Sequence, residues 1–353
     1  MKILFSAYDA GGMDALTPVI NKIKDNKKYI LKVFLGGPAK KIAKSEKIKF
    51  INCEKKTIKE IEDLIKKFKP DVICTGTSSG KTIEKIIWRI AKKEDIPTVA
   101  VVDFWINYNL QFSFSNKEKI NKKNLPDLIC LMDDLGKKEM IKEGFPKEIL
   151  KITGNPHFEN FKKFSKVNQK RKKITYIDQH FSELIPKGIH DEIGFREQQV
   201  FDDFIKSLSE NDWDGEVVIK FHPGSKTKNR YDATIKKSKI KIRKAKPKEK
   251  LDTLLEQSEF VAGMTSMALF EAALGGKFVV SYQPHQKKKI DPLISNRLGL
   301  SHFAYSYKKL KNVITKAIKG KYNDKNIKTI REKYTKIHAT ENVLHQIKNI
   351  SKK

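Results

Sequence analysis

The chain has 353 residues, enough for two domains, and its 39% hydrophobic and 33% charged residues are typical of folded soluble proteins. Its 73 Lys and Arg against 42 Asp and Glu give a formal net charge of +31. The lysines are scattered and no RNA-binding signature, zinc-finger spacing or helix-turn-helix pattern accompanies them, which argues against a nucleic-acid-binding protein.

The cysteines and the hydropathy pattern indicate the compartment. Cys53, Cys74 and Cys130 each fall in an apolar, strand-like run, and their spacing fits neither a disulfide framework nor a metal site. We expect them to be reduced and buried. No transmembrane stretch or signal peptide is recognisable, so the sequence predicts a cytoplasmic protein. Its many cations also predict peripheral association with an anionic membrane.

The first half of the chain alternates apolar runs of strand length with longer amphipathic runs. Strands are predicted at residues 2–7, 30–35, 48–53, 72–74, 98–102, 128–132 and 150–152. Helices are predicted at residues 13–24, 57–68, 81–93 and 135–143. In the second of these helices Ile58, Ile61 and Ile65 fall on one face. Strands that alternate with helices predict a parallel sheet covered on both faces.

A second alternating run follows a break at residues 153–156 (TGNP) and a basic, polar stretch. Strands are predicted at residues 174–177, 217–221, 240–242, 260–262 and 278–282. Helices are predicted at residues 195–208, 250–257, 267–274, 307–319, 326–338 and 341–350. Residues 180–194 are too irregular to assign.

The predicted fold class is therefore α/β, with two Rossmann-like parallel-sheet domains facing a cleft, where ligands bind in such folds. Residues 1–160 form the N-terminal domain and residues 161–173 the linker. Residues 174–325 form the C-terminal domain. Residues 326–353 are predicted to be helices that pack back towards the N-terminal domain.

The stretch 259–284 predicts an anion site in the second domain. Ser266, preceded by Thr265, stands at the N-cap position of the predicted helix 267–274, directly after a strand. Free N–H groups and the positive end of the helix dipole suit a phosphate there. Glu271, one turn further on, can reach a sugar diol. The alternative is an ordinary βαβ unit with a capped helix.

Two loops of the first domain carry candidate bases. Asp103 stands at the end of a predicted strand and is followed by aromatic residues that can stack on a sugar or a nucleobase. Asp9 and Asp14 flank the Gly11-Gly12 turn that follows the first strand. For each carboxylate, a structural capping role is the alternative.

Two further loops follow strands. Residues 75–82 (TGTSSGKT) resemble a P-loop, but Thr75 replaces its first glycine, so a polar helix N-terminus that contains Ser78 is favoured. His222 follows the strand 217–221 and precedes Pro223 and Gly224. This histidine can donate to a phosphate or titrate near neutral pH, while the alternative is a turn residue without a role.

Ordered motifs connect these loops to one superfamily. They lie at residues 69–78 (KPDVICTGTS), 96–100 (IPTVA), 152–155 (ITGN), 218–223 (VIKFHP) and 263–280 (GMTSMALFEAALGGKFVV). Together they resemble the GT-B fold family, which includes nucleotide-sugar glycosyltransferases and UDP-N-acetylglucosamine 2-epimerase. The first two runs are similar to the epimerase's KPD…HGDT…IPVAHVEAG sequence, and the last to its GGxxxEAxxLGKPV motif.

The resemblance implies a role for each matching residue. His222 would contact the donor diphosphate or sugar, Thr265 and Ser266 would hold the phosphates, and Glu271 would bind the ribose hydroxyls. Asp103 stands where the epimerase has a catalytic glutamate. Asp9 and Asp14, beside the glycine turn, are the less favoured candidate bases. The remaining predicted donor-binding residues are Gly11, Gly12, Ser78, Asn155 and Gly224. No metal or other cofactor is implied, because the nucleotide sugar is the substrate.

Two departures bear on the reaction. Thr77 stands where the epimerase has the aspartate of its HGDT sequence. The epimerase's His-Arg-Arg-Glu-Asn signature is not recognisable near residues 176–180 of this chain. The expected function is therefore a metal-independent glycosyltransferase of surface polysaccharide or glycan biosynthesis, with a nucleotide-diphosphate-sugar donor and a glycan or lipid-linked acceptor. The alternatives are an epimerase-like enzyme and a non-catalytic protein that binds nucleotide sugars.

Overall fold

A computed structural model describes residues 1–114, 120–159, 161–164, 172–184, 193–320 and 325–352. These residues form two compact units, one made of Met1–Asn160 with Tyr334–Lys353 and the other of Phe161–Lys333. Most of the linker predicted at 161–173, and more than half of the unassigned segment 180–194, lie outside the described residues.

The first unit is built on a seven-stranded sheet whose strand pairs are all parallel. The strands are β1 (Lys2–Ala7), β2 (Ile30–Leu35), β3 (Ile51–Asn52), β4 (Val72–Thr75), β5 (Thr98–Val101), β6 (Leu128–Leu131) and β7 (Leu150–Ile152). The helices are α1 (Ala10–Ile23), α2 (Ala39–Ser45), α3 (Ile58–Phe68), α4 (Ile83–Lys93), α5 (Tyr108–Phe112) and α6 (Asp134–Lys142). The sheet order is β3-β2-β1-β4-β5-β6-β7.

Alternating side chains of this sheet enter two apolar cores, because successive strand residues point to opposite faces. Ile3 and Phe5 of β1 pack in the core that contains α1, whereas Leu4 packs in the core that contains α3 and α4. Burial on both faces explains why the strands are nearly continuous apolar runs.

The second unit is built on a six-stranded, fully parallel sheet of order β10-β9-β8-β11-β12-β13. Its strands are β8 (Lys173–Ile177), β9 (Glu216–Lys220), β10 (Lys241–Lys244), β11 (Phe260–Gly263), β12 (Phe278–Tyr282) and β13 (His302–Ala304). Its helices are α7 (Phe181–Leu184), α8 (Glu197–Ser209), α9 (Asp232–Lys237), α10 (Leu251–Glu256), α11 (Met267–Leu274), α12 (Ile294–Arg297), α13 (Tyr307–Ile318) and α14 (Lys325–Thr335).

The last helix, α15 (Ala339–Ile350), belongs to the first unit. Its Val343, Leu344 and Ile347 are buried in the same core as Ile3 and Phe5. Among the described helices, none is both long and apolar enough to cross a membrane.

The predicted α/β class with two Rossmann-like parallel sheets is confirmed, because both sheets contain the Rossmann strand order 3-2-1-4-5-6. Several local expectations were wrong. Helix α1 begins at Ala10 and not at residue 13, so Gly11 and Gly12 lie in its first turn and not in a preceding loop. Helices α2, α5, α7, α9 and α12 and strand β13 were not predicted.

Candidate functional site

In both sheets the strand order reverses between two central strands, which is where ligands bind in open parallel sheets. In the first unit these strands are β1 and β4, and the loops that follow them meet. The backbone N–H of Asp9 donates to Ser78 Oγ at 3.2 Å. A cavity of about 160 Å³ opens beside this contact. Its walls are formed by Asp9, Thr77, Ser78, Ser79, Asp103, Phe104, Ile106, Asn107 and Gln111.

Asp103, just after β5, presents a carboxyl group with an unusual proton affinity to this cavity. Thr77 Oγ1 lies 3.2 Å from Asp103 Oδ1 and 2.7 Å from Gln111 Oε1, so one hydroxyl hydrogen serves two acceptors. Burial raises the pKa of Asp103 to about 7, although part of the side chain reaches the cavity. The Thr77 bond opposes this rise, and the charges of Asp9 and Glu84 add to it.

Asp9 is the second acidic group in the cavity. Burial is the main cause of its raised pKa, and the nearby charge of Glu84 adds to the rise. Two carboxyl groups whose pKa values are both raised therefore line one small cavity. A carboxyl group with a pKa of about 7, such as Asp103, can hold or release a proton near neutral pH, which is the property that acid–base catalysis requires.

The glycines in the first turn of α1 bring these groups together. A Cβ added at Gly11 would lie 2.0 Å from Asp103 Oδ2, so only glycine leaves space for that carboxyl group. A Cβ added at Gly76 would lie 2.8 Å from the Cα of Gly12, which means that the two loops approach each other backbone to backbone.

Two residues that the sequence did not reveal support the cavity wall. Glu84 Oε1 accepts hydrogen bonds from Tyr8 N at 2.8 Å and Ser78 Oγ at 2.7 Å. Lys85 Nζ donates to the carbonyl oxygens of Ser78 and Gly80, at 2.5 and 2.6 Å. Burial lowers the pKa of Lys85 to about 8. Both charged residues lie in the first turn of α4, where acidic and basic residues are ordinarily exposed, so their spacing gave no signal.

In the second unit the corresponding strands are β8 and β11, and Gln179 joins the loops that follow them. Gln179 Oε1 accepts hydrogen bonds from the backbone N–H and the hydroxyl of Thr265, at 2.7 and 3.1 Å. Ser266 is the N-cap of α11, and its Oγ accepts a hydrogen bond from Ala268 N at 3.3 Å. A hydroxyl that accepts a capping bond can still donate its own hydrogen to a ligand oxygen.

His222, after β9, stacks on His180, with ring centroids 4.2 Å apart and an interplanar angle of 27°. The backbone N–H of Gly224 donates to His222 Nδ1 at 3.0 Å, which places the proton of the neutral ring on Nε2. Burial, and then the proximity of His180, lowers the pKa of His222. At neutral pH His222 is therefore an uncharged donor through Nε2–H.

No protein-family model matches the chain, and neither does any curated protein. Solved structures match it along its whole length. The UDP-GlcNAc 2-epimerase from Neisseria meningitidis bound to UDP-GlcNAc matches with a TM-score of 0.71 and 14% identity, over 99% of this chain and 100% of that one. The Methanocaldococcus jannaschii UDP-GlcNAc 2-epimerase in complex with UDP-GlcNAc and UDP matches with a TM-score of 0.62 and 13% identity, over 99% of this chain and 100% of that one. The glycotransferase of kitacinnamycin matches with a TM-score of 0.61 and 8% identity, over 98% of this chain and 99% of that one.

The chain has the GT-B fold. The resemblance that the ordered motifs suggested is thereby confirmed at the level of the fold. At these identities the similarity shows the fold alone.

In this GT-B fold the predicted site residues fall into two groups. The first unit brings together Asp9, Gly11, Gly12, Ser78 and Asp103. At one edge of the second sheet, the consecutive residues Gln179 and His180 connect the remaining group, which is formed by His222, Gly224, Thr265 and Ser266.

Two predicted residues have other surroundings. Glu271 lies inside α11, one turn beyond the capping residue. Asn155 is buried in the first unit and lies outside the cavity wall. Its Oδ1 accepts a hydrogen bond from His157 N at 2.9 Å, which caps the short 3-10 turn Pro156–Phe158. Asn155 thus has a local structural role.

Proposed function

We propose that the chain is an enzyme that acts on a nucleotide sugar and that its reaction is of the 2-epimerase type. The observation that carries the proposal is the pair of carboxyl groups, Asp9 and Asp103, in one cavity of a GT-B fold. Inversion at C2 needs one group to remove the C2 proton while the C1–O bond to the nucleotide diphosphate breaks, which leaves a C1–C2 double bond. A second group then returns a proton to the opposite face of C2 while the diphosphate adds back to C1. The similar epimerases bound to UDP-GlcNAc support this choice of substrate class.

In this proposal Asp103 is the first candidate base. A carboxyl group with a pKa of about 7 is half ionised at neutral pH and can both accept and donate a proton. Asp9 is the second acid–base group and supplies the carboxyl function that is missing at Thr77. This reverses the preference of the sequence analysis, where glycosyl transfer came first because Thr77 replaces an acidic residue.

The second unit would bind the nucleotide diphosphate. His222 would donate from Nε2–H, and the N-terminus of α11 would contribute Ser266 and the positive end of the helix dipole. Neutral donors and a helix end can stabilise the charge of a departing diphosphate, so protein groups would perform this task without a cofactor. Glu271 is proposed to bind the ribose hydroxyls.

Glycosyl transfer is the second candidate. Glycosyl transfer is favoured by Thr77, because the loop after β4 then offers no carboxyl group next to Asp103. The match to the glycotransferase of kitacinnamycin also favours it. In this reaction Asp103 would deprotonate a hydroxyl of a glycan or lipid-linked acceptor. Peripheral association with an anionic membrane would then bring the enzyme to its acceptor.

One incubation distinguishes these functions. The protein is mixed with UDP-GlcNAc alone in D₂O and the sugar is followed by NMR. A 2-epimerase gives the C2 epimer with deuterium at C2, and Asp103→Asn abolishes the exchange. A glycosyltransferase gives no new sugar until an acceptor is added. A non-catalytic binding protein shows a thermal shift with UDP but no reaction. Absence of any thermal shift with UDP or UDP-sugars would overturn the whole proposal.

A further inference from the structure

The loop that follows His222 is anchored by a carboxylate from another part of the second unit. Glu183 accepts hydrogen bonds from Ser225 Oγ at 3.0 Å, Lys226 N at 2.7 Å and Thr227 N at 2.8 Å. The hydrogen bond from Lys226 is the main cause of the low pKa of Glu183, about 2, so the group is ionised at neutral pH. Glu183 thus fixes the backbone that supplies the Gly224 N–H to His222.

Arg230 connects this anchor to the rest of the site. Its Nη2 donates to Glu183 Oε1 at 2.5 Å and to Ser225 Oγ at 2.7 Å, and its Nε donates to Thr227 O at 3.0 Å. Its Nη1 lies 3.2 Å from the carbonyl oxygen of Gln179 and 3.3 Å from Glu197 Oε1. The five N–H groups of a guanidinium therefore meet five acceptors inside the protein.

These contacts form a continuous path between the two proposed phosphate-binding elements. The backbone carbonyl of Gln179 accepts a hydrogen bond from Arg230, and its side-chain oxygen accepts hydrogen bonds from Thr265. Thr265 directly precedes the N-cap of α11, and the other end of the path is the loop that holds His222. Arg230 therefore spans the ends of β8 and β9.

Burial makes a purely stabilising role a poor explanation for this cluster. The side chains of Arg230 and Glu183 are only 10% and 16% exposed. Taking such charges out of water offsets most of their mutual attraction, and apolar residues of similar size often stabilise a fold better. The planar guanidinium instead offers fixed directions, which suits a residue that sets the relative position of several loops.

We infer that Arg230 is a positioning residue that sets His222 and the N-terminus of α11 at the spacing a diphosphate requires, without contacting the ligand itself. The inference rests on the proposed nucleotide-sugar function. It predicts that loss of the guanidinium changes the state of the His222 ring even in the free protein, because Gly224 no longer holds Nδ1 as an acceptor.

The test uses Arg230→Lys, which keeps the charge but cannot make the five bonds, and Glu183→Gln, which keeps the shape of the anchor. Arg243→Met is the matched control, because Arg243 makes a two-pronged ion pair with Glu249 and contacts Glu216 in the same unit, away from His222. The tautomer and pKa of His222 are measured by NMR of the ring nitrogens in the free protein. UDP affinity and thermal stability are measured separately.

We expect the wild-type ring to carry its proton on Nε2. In Arg230→Lys we expect a mixed tautomer, a His222 pKa closer to 6.5 and UDP binding at least about tenfold weaker, the loss expected for one hydrogen bond to a charged group. Arg243→Met should change neither His222 nor UDP binding.

The outcomes separate the inference from the function on which it rests. Failure of the wild-type protein to bind UDP overturns the function, while the His222 measurement still tests the role of Arg230. Unchanged His222 signals in both Arg230→Lys and Glu183→Gln overturn the inference, as does an equal effect of Arg243→Met. Lost UDP binding with an unchanged ring would mean that Arg230 contacts the ligand. If neither variant folds, Arg230 is a structural residue and the inference fails.

Discussion

Asp103 Oδ2 occupies the space that a side chain at Gly11 would fill, since a Cβ there would lie 2.0 Å from it. The first turn of α1 and the end of β5 can approach this closely only because Gly11 has no side chain. The position of the proposed base is therefore set by a residue from a different strand–helix unit, 92 positions earlier in the chain.

Gly11→Ala tests this relationship. The new methyl group displaces the Asp103 carboxyl from Thr77, and we expect turnover of UDP-GlcNAc, followed as deuterium incorporation, to fall at least about tenfold, within the range that a misplaced acid–base group costs. Gly136→Ala is the control, because its Cβ would meet Tyr108 Oη at 3.2 Å and neither residue lines the cavity. Equal activities of the two variants would contradict the prediction.

Asp103→Asn should stabilise the protein above neutral pH. The pKa of Asp103 rises from 3.8 to about 7 on folding, so its contribution to stability is largest below pH 4 and is lost as the pH rises to about 7. Since part of the side chain reaches the cavity, we expect the variant to gain about 1–3 kcal/mol in the free energy of unfolding at pH 8.

Urea denaturation of both proteins at pH 4 and pH 8 measures this difference. The gain should be small at pH 4, where both side chains are uncharged. A variant that is less stable than the wild type at pH 8 would show that Asp103 is held as a well-compensated carboxylate.

The pH dependence of turnover should report the same group. If Asp103 acts as the base, kcat/KM for UDP-GlcNAc rises with pH and levels off above an apparent pKa of about 7. A plateau that already extends from pH 5 to pH 9 would exclude Asp103 from that role. Initial rates in a buffer series of constant ionic strength are sufficient for the measurement.

His222 can be tested with two amides of different reach. Glutamine places an N–H donor near the position of Nε2, whereas asparagine reaches only to the position of Nδ1. We therefore expect His222→Gln to bind UDP nearly as well as the wild type and His222→Asn to bind about tenfold more weakly. Calorimetric titration with UDP measures both. Equal losses would mean that the imidazole ring is needed for more than its Nε2–H.

The architecture could be predicted because most strands are recognisable as runs of apolar residues. Runs such as 72–74 and 278–282 are buried on both faces, so they read as continuous apolar segments between amphipathic helices. The strand His302–Ala304 was missed because it has three residues and only two of them are apolar. Gly11 and Gly12 were assigned to a turn from helix propensity, but close packing against Asp103 and Gly76 places them in a helix.

The candidate site was only half visible in the sequence. Asp103, His222 and Ser266 stand at ends of apolar runs, where parallel sheets place functional side chains. Glu84, Gln179 and Arg230 act on partners that are distant in the chain, such as Gln179 on Thr265, 86 positions away. The spacing of residues within one segment does not indicate such pairs, so they can be recognised only in the folded chain.

The contribution of α15 to the first core determines the order in which the protein can be completed on the ribosome. Val343, Leu344 and Ile347 are buried in the core that contains Ile3 and Phe5, and Ile350 packs against it. During synthesis this face of the first sheet stays incompletely covered until residues 339–350 have been translated. The second unit is fully encoded by then and is the first that can close its core.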